Sequence, residues 1–351
     1  MKRHELVFAA RRLLATRTLS LPATIVAKLA GAPITKDGHT LDPQVQLMLK
    51  LAHMAQVKGS QELSLRAARR ELDASSRLLA PEPPPHARVE EIEVDGAAGR
   101  LPARIYRPYG VSAGAPCLVY FHGGGWVLGS LDSHDAPCRA FAEGAGCVVI
   151  SVDYRLAPEH PFPAAVDDAT AAFRGIAKDA ARLGIDPARI AVGGDSAGGN
   201  LAAVVCLDTR DDAVRPCFQL LIYPGTDMSM SMPSIETMGR GFFLERATMD
   251  WFLDHYVPDR ASRKNPRASP LFAPSHANLP PAFVLTAGFD PLRDEGQAYA
   301  KKLTAAGVAC EERCYGSLIH GFLHTWGILH GARPPLEELI TQLRRAFASK
   351  S

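Results

Sequence analysis

The spacing of apolar positions changes near residue 80 of this chain. Before that point, apolar residues recur at helical spacing, as at Leu65, Ala68 and Leu72. Residues 81–85 then form a proline-rich stretch, which a continuous helix does not cross. We therefore predict a helical segment over residues 1–84 and a separate unit over residues 85–351.

Short apolar runs dominate the second unit. Residues 89–94 and 101–107 read as two strands joined by a glycine-containing turn, and they predict a hairpin. Five further runs are too short for helices and are bounded by Gly, Pro or Asp. They cover residues 117–121, 147–152, 190–193, 218–223 and 283–286. Runs of this kind are typical of strands buried on both faces of a parallel sheet.

Helical segments separate most of these runs, at residues 163–183, 197–208, 294–306 and about 335–348. The alternation of strand and helix indicates an α/β fold with a mostly parallel sheet. Residues 225–281 break this alternation and are rich in Met and aromatic side chains. They predict a helical insertion that packs on the core, covers an apolar pocket as part of a lid, or does both.

Composition limits the partners that we expect. Of the 351 residues, 47% are apolar and 22% are charged, which is ordinary for a globular enzyme. The net charge of +2 provides no field that would attract nucleic acid, so we expect no nucleic-acid partner. No apolar stretch of about 18 residues is present, and we therefore do not expect stable insertion into a membrane.

The N-terminus is basic, with Lys2, Arg3, Arg11, Arg12 and Arg17. These residues fit the solvated face of a helix, and contact with a membrane surface is the alternative. The arginines interrupt the apolar core that a signal peptide needs, and the seven scattered cysteines suit a reducing compartment. We therefore expect a cytoplasmic protein.

The strongest chemical pattern is Gly194-Asp195-Ser196-Ala197-Gly198, between a predicted strand and a predicted helix. A G-x-S-x-G turn is so sharp that a β-carbon at either glycine would clash, and it lifts the serine hydroxyl above the sheet. The following helix directs its N-terminal amides at a developing negative charge. Ser196 is therefore the predicted nucleophile.

A second glycine-rich segment, His122-Gly123-Gly124-Gly125-Trp126, directly follows the run at residues 117–121. Three consecutive glycines have an entropic cost, but their bare amides can approach a substrate oxygen closely. We predict a loop that provides hydrogen-bond donors for an oxyanion. We expect His122 to orient this loop and not to act as a second base.

A serine nucleophile needs a base, and the base needs an orienting carboxylate. His320 is the best placed of the 12 histidines, in a loop after the strand-like residues 310–315. In hydrolases with this serine turn the acid lies between the serine and the histidine, and Asp290 follows the run at residues 283–286. Asp294 and Glu295 are rivals, although we expect Asp294 to cap the next helix.

The sequence predicts no metal site. His324 follows His320 at a spacing that a metal could use on a helix, but no nearby Glu completes a zinc motif. Cys310 and Cys314 also lack a second Cys or His pair at zinc-like spacing. In the proline-rich loop at residues 155–163, Glu159 and His160 are expected to form buried hydrogen bonds beneath the site.

Together these segments resemble the bacterial hormone-sensitive-lipase-like esterases, family IV of the α/β-hydrolase superfamily. The motifs that carry the resemblance are residues 122–125, 154–168, 194–199, 290–292 and 320–322. The resemblance covers about residues 85–351. It implies an α/β-hydrolase fold with a mostly parallel eight-stranded sheet, flanking helices and a helical cap. The cap would comprise residues 1–84 and a second insertion at about 225–281.

The resemblance also implies a carboxylic-ester hydrolase that needs no cofactor. It assigns Ser196 as nucleophile, Asp290 as the acid and His320 as the base. The oxyanion donors would be the amides of Gly124, Gly125 and Ala197. Family analogy and proximity to the motif loops suggest four pocket residues, Trp126, Phe242, Phe243 and Phe322.

The expected substrate is a small-molecule ester with a short to medium acyl chain. A lipase acting on longer-chain lipid esters, an amidase and a lactonase remain alternatives, because the same oxyanion geometry serves all acyl transfers. A ligand receptor without catalysis would predict a lost nucleophile or base, whereas all three candidate triad residues are present. A homodimer is an arrangement that the sequence allows.

Overall fold

The structure is a computed structural model that describes residues 17–81 and 88–348. The basic residues Lys2, Arg3, Arg11 and Arg12 lie outside the described residues, and so does the predicted boundary between residues 84 and 85. Among the residues that are described, no helix has both the length and the apolar content that crossing a membrane requires.

Three helices form most of the described N-terminal segment, as its helical spacing predicted. They are α1 (Ala23–Ala30), α2 (Pro43–Met54) and α3 (Leu65–Leu79). Asp42 caps α2 by accepting hydrogen bonds from the amides of Gln44 and Val45. A small antiparallel hairpin of β1 (Thr35–Lys36) and β2 (His39–Thr40) lies between α1 and α2, and the sequence pattern did not predict it.

Eight strands form the central sheet. They are β3 (Arg88–Gly96), β4 (Gly99–Arg107), β5 (Ala115–Phe121), β6 (Val148–Val152), β7 (Ile185–Asp195), β8 (Gln219–Ile222), β9 (Ala282–Phe289) and β10 (Cys310–Ile319). Their order across the sheet is β10-β9-β8-β7-β5-β6-β4-β3. The β3–β4 hairpin joins β6 in antiparallel pairing, and all other pairs are parallel. The predicted mostly parallel sheet is confirmed.

The remaining helices are α4 (Asp135–Ala145), α5 (Ala164–Lys178), α6 (Ala180–Leu183), α7 (Ala197–Asp208), α8 (Pro233–Met238), α9 (Arg246–Tyr256), α10 (Arg293–Ala305) and α11 (Arg333–Ala348). The single helix predicted over residues 163–183 is two helices, divided at Asp179. Residues 225–281 contain α8 and α9 together with two short 3₁₀ helices.

The strands separate two cores, because successive side chains of a strand point to opposite faces. In β5, Val119 and Phe121 pack in the core that includes residues of α5 and α7. Leu118 and Tyr120 pack in the other core, with residues of α4 and α11. Burial on both faces explains why these strands are nearly continuous apolar runs.

The N-terminal helices are attached to the sheet domain by polar contacts. Arg69 of α3 donates to the Val127 carbonyl at 2.9 Å and to the Ala157 carbonyl at 3.1 Å. Its guanidinium also forms a bidentate ion pair with Glu159, at 2.7 and 2.8 Å. The prediction of buried hydrogen bonds for Glu159 and His160 was wrong, since both side chains are exposed. Glu159 instead holds α3 against the loop.

The N-terminal segment also contacts the insertion at residues 225–281. Thr248 of α9 donates from its hydroxyl to the Gln61 Oε1 atom at 2.7 Å. Lys36 in β1 donates to the Thr237 carbonyl, also at 2.7 Å. The two regions that the resemblance assigned to a cap are therefore in contact with each other.

Asp168 of α5 provides buried hydrogen bonds to the proline-rich loop at residues 155–163, through Arg155. Its carboxylate is 0% exposed and accepts four hydrogen bonds. Two come from the Arg155 guanidinium at 2.7 and 2.8 Å. The other two come from the amides of Ala97 and Arg155, at 3.0 and 3.1 Å. The loop that follows β6 is thereby fixed to the β3–β4 turn.

We expect Asp168→Ala to lower the free energy of unfolding by about 3 kcal/mol, because it leaves Arg155 and two amides without their acceptor. Urea denaturation followed by circular dichroism measures this change. Asp179→Ala is the matched control, since Asp179 pairs with Arg182 at the surface. We expect the control to move the urea midpoint little, and equal losses in both variants would contradict the assignment.

Candidate active site

Ser196 occupies a strained turn between β7 and α7. Its φ and ψ angles are 55° and −117°, in a region that side chains other than glycine rarely adopt. Its amide donates to the Ile222 carbonyl at 2.9 Å. A β-carbon at Gly194 or Gly198 would collide with the Phe121 carbonyl, so both glycines are required by close approach, as predicted. The turn brings the serine to the carboxyl edge of the parallel strands.

The structure brings the three predicted triad residues together. His320 Nε2 lies 3.0 Å from Ser196 Oγ, and His320 Nδ1 lies 2.8 Å from Asp290 Oδ2. Asp290 is fully buried, and its Oδ1 accepts the Leu292 amide at 2.8 Å. Because an ionised carboxylate only accepts, His320 Nδ1 must carry the proton. His320 Nε2 is then free to accept the Ser196 hydroxyl proton.

The rival acids lie elsewhere. Asp294 accepts the Ser234 amide at 2.9 Å and pairs with Arg293 at 2.8 Å. It lies in the first turn of α10, whose N-cap is Leu292, so the prediction that Asp294 caps this helix was wrong. Glu295 is buried and accepts the Thr226 amide at 2.5 Å, and burial raises the pKa of its carboxyl well above the usual range.

The predicted oxyanion donors are three free amides. Gly124 and Gly125 have φ angles of 119° and 62°, which the loop after β5 adopts because neither residue has a side chain. Ala197 is the first residue of α7, where the amide has no partner within the helix. None of the three amides donates a hydrogen bond to a residue that the structure describes. They are available to an oxygen of a substrate.

The His122 side chain is buried and forms contacts that orient the glycine loop at residues 122–126. Its Nδ1 donates to the Gly123 carbonyl at 2.8 Å, and its ring stacks on Tyr154 with centroids 4.3 Å apart. Burial, with His134 nearby, lowers the pKa of His122 to about 4. The imidazole is therefore neutral near pH 7. The Tyr154 hydroxyl donates to the His122 carbonyl at 2.7 Å and fixes the same loop.

Asp195 is a site residue that the sequence did not reveal. Its carboxylate is 3% exposed, and Oδ1 accepts the Tyr120 hydroxyl at 2.7 Å and the Gly123 amide at 3.0 Å. His134 Nε2 lies 3.1 Å from the same oxygen. Asp195 thus connects the serine turn to the glycine loop at residues 122–126, which we call the oxyanion loop after its predicted role. No local pattern could have predicted this, since Tyr120 and Gly123 are more than 70 residues away in sequence.

His324 approaches Asp195 from the loop that carries His320, with its Nε2 3.7 Å from Oδ2. Burial alone would raise the pKa of the Asp195 carboxyl, but His134 and His324 hold it well below the usual range. Ligand atoms of His134, Asp195 and His324 lie within 4.8 Å of one another, a spacing that a metal could use. Tyr120 and Gly123 already donate to Asp195, so we assign these residues to a hydrogen-bonded network.

The four predicted pocket residues differ in exposure. Trp126 is 6% exposed and stacks on Tyr256 at 4.7 Å, while Phe242 is 6% exposed and packs on Phe289. Phe243 is 60% exposed. Phe322 has no exposed surface and packs edge-on against Tyr223. This packing indicates that Phe322 supports the loop that carries His320, and it gives less support to a place in a pocket wall. The pocket roles stay predictions.

We expect Asp195→Asn to lower kcat by about 10- to 100-fold with a smaller change in KM, because a misplaced donor loop weakens binding of the transition state. Steady-state kinetics on a soluble ester measure the two constants. Asp186→Asn, on the same strand but paired with Arg189 at the surface, is the matched control. An unchanged kcat in Asp195→Asn would show that the network does not position the loop.

Comparison with known proteins gives consistent results. The family model of the alpha/beta hydrolase fold matches residues 118–324. The carboxylic ester hydrolase LipN of Mycobacterium tuberculosis is 47% identical over 323 residues, 90% of this chain and 85% of LipN. An ethyl acetate hydrolase of Pseudomonas putida is 39% identical over 316 residues, 87% of this chain and 99% of that protein.

Solved structures agree with these relatives. An ester hydrolase from the metagenome of Lake Arreo has a TM-score of 0.85 and 44% identity, covering 88% of this chain and all of its own. A hyperthermophilic esterase from the archaeon Pyrobaculum calidifontis has a TM-score of 0.83 and 40% identity, covering 87% of this chain and 98% of its own. Family model, relatives and structures together show that the chain belongs to the hormone-sensitive-lipase-like esterases of the α/β-hydrolase superfamily.

Proposed function

We propose that this protein is a carboxylesterase that hydrolyses short- to medium-chain esters through an acyl-enzyme on Ser196. The observation that carries the proposal is the hydrogen-bond chain from Asp290 through His320 to Ser196, with distances of 2.8 and 3.0 Å. A serine, a base and a buried orienting acid in this geometry perform acyl transfer on several unrelated folds. The names of the relatives point to ester substrates.

The steps follow from this geometry. His320 Nε2 takes the hydroxyl proton as Ser196 Oγ attacks the ester carbonyl, and the buried Asp290 stabilises the resulting imidazolium. The amides of Gly124, Gly125 and Ala197 donate to the oxyanion. The C–O bond of the ester then breaks, and His320 returns the proton to the departing alcohol. Water then attacks the acyl-enzyme while His320 takes its proton. The bond to Ser196 Oγ breaks, His320 returns the proton to Ser196, and the carboxylic acid is released.

One observation supports a short acyl or alcohol group. One relative is named for ethyl acetate, which is a small ester. Amides, lactones and longer lipid esters remain competing substrates, because the triad and the oxyanion donors would serve all of them.

We also infer a cytoplasmic location and a small-molecule partner. All seven cysteines are unpaired, and four of them, Cys117, Cys138, Cys147 and Cys206, are fully buried. Unpaired cysteines support a reducing compartment. The net charge of +2 gives no reason to propose nucleic acid as a partner.

Ser196→Ala is expected to reduce kcat/KM by at least about 10,000-fold, because no other group replaces the nucleophile. Chromogenic esters with acyl chains from acetyl to palmitoyl measure the loss and the length preference in one series. Full activity in the variant would contradict the mechanism. A maximum at the longest chains would leave the mechanism intact but replace esterase by lipase.

Asp290→Asn tests the choice of acid. We expect kcat to fall by about 10,000-fold, since an amide in place of the carboxylate favours the wrong tautomer of His320. Asp294→Asn is the matched control, because Asp294 bonds Arg293 and Ser234 and has no contact with His320. A larger loss in Asp294→Asn than in Asp290→Asn would reverse the assignment.

A further inference from the structure

Exposed apolar side chains are concentrated in the N-terminal helices. Nine large apolar residues are exposed among the described residues, and seven of these lie between residues 21 and 57. Six of the seven define what we call the N-terminal apolar face: Leu21, Ile25, Leu29, Leu51, Met54 and Val57. Isolated exposed apolar residues are ordinary, whereas a concentrated group indicates a surface that binds something.

The face spans both helices. Ile25 and Leu29 are four residues apart, so they share one side of α1, while Val26 and Ala30 are buried. Leu21 lies just before the helix and is also exposed. Lys50 of α2 donates from Nζ to the Leu29 carbonyl at 2.8 Å. This contact brings the end of α1 against the part of α2 that precedes Leu51 and Met54.

The same region is positively charged. Residues 1–81 contain 13 of the 39 Lys and Arg residues but only 6 of the 37 Asp and Glu residues. This part of the sequence therefore has a formal charge of +7, and the remainder has −5. Arg69 and Arg77 pair with Glu159 and Asp132 outside this segment. Nearer the face, residues 17–58 contain five Lys and Arg residues against two Asp residues. A concentrated positive charge beside an apolar surface is suited to anionic lipid.

The charges that remain free on this face are positive. Asp42 caps α2, Glu62 accepts the Gly59 amide, and Asp37 pairs with Arg293. Lys28 and Lys58 are exposed next to the apolar face, and within the described parts of the chain they form no ion pair. The three acidic side chains between residues 17 and 62 thus have partners within the chain, and Lys28 and Lys58 are left to the surroundings.

The N-terminal segment that carries this face also approaches the active site. Lys36 of β1 lies over the Phe242 ring, 5.4 Å from its centroid. The next residue, Phe243, is 60% exposed, and a β-carbon on Gly321 would lie 2.9 Å from its ring. Gly321 directly follows His320. The ninth exposed residue, Tyr109, precedes β5 and therefore lies at the opposite end of the strand from the oxyanion loop.

We propose that the N-terminal apolar face docks the enzyme on an anionic phospholipid surface, with the active site beside the lipid. The apolar side chains would enter the headgroup boundary, and Lys28 and Lys58 would face the anionic headgroups. Docking of this kind is peripheral and reversible. It would allow esters dissolved in the lipid to reach Ser196 without crossing bulk water.

Charge disfavours the other occupants of this face. In a symmetric dimer the same patch would meet itself, so positive charge would oppose positive charge. Residues 1–16 contain four Lys and Arg against one Glu, so they add to the positive charge and do not neutralise it. A bilayer containing phosphatidylglycerol combines an apolar layer with negative headgroups, which matches both properties of the face.

Co-sedimentation of the full chain with vesicles tests the proposal. We expect binding to phosphatidylcholine vesicles that contain phosphatidylglycerol, weaker binding to phosphatidylcholine alone, and release at high salt. Ile25→Ser combined with Leu29→Ser should lower the partition coefficient about tenfold or more, because less apolar surface enters the lipid. Lys28→Gln combined with Lys58→Gln should lower it to a similar extent, since each charge contributes about fivefold.

Tyr109→Ser is the matched control, since it removes an exposed apolar residue at the opposite end of the sheet and should leave binding unchanged. All variants should retain wild-type hydrolysis of a soluble short ester, which also shows that they fold. Failure of the wild type to bind anionic vesicles at low salt would overturn the proposal. Equal binding by the Ile25/Leu29 variant would overturn it as well, and a dimer lost in that variant would identify a second copy as the occupant.

Discussion

The Asp195 carboxylate is the group on which the arrangement of the active site depends. It is buried next to the nucleophile, and it accepts hydrogen bonds from Tyr120 in β5 and from Gly123 in the loop that follows. A buried charge without partners would be strongly destabilising, so these donors cannot move away at little cost. The distance between Ser196 and the predicted oxyanion donors of the glycine loop is therefore set by a charged hydrogen-bond network in addition to strand pairing.

Much of the fold could be predicted because its signals are local. Burial on both faces makes strands such as β5 and β6 continuous apolar runs. The serine turn defines the start of α7, whose predicted and observed bounds agree. The triad residues could be proposed because each follows a strand, and parallel strands end at one edge of the sheet. The β1–β2 hairpin has two residues per strand, too few to show a period.

The polar contacts that shape the site are not local, and for this reason they were missed or misassigned. The carboxylate of Asp294 has the position of a cap in the sequence, but it bonds Ser234, 60 residues away. Glu159 pairs with Arg69 at a separation of 90 residues, and nothing in either segment indicates the other. The domain boundaries and pocket residues stay predictions, because contacts within the chain do not define them.

The contacts of the Arg69 guanidinium limit how α3 can move relative to the loops beneath it. One guanidinium binds Glu159 and also the carbonyls of Val127 and Ala157, and Val127 lies two residues after the oxyanion loop glycine Gly125. Helix α3 cannot lift without releasing all of these contacts together. A displacement of α3 would therefore also remove a hydrogen bond from the segment that directly follows Gly124 and Gly125.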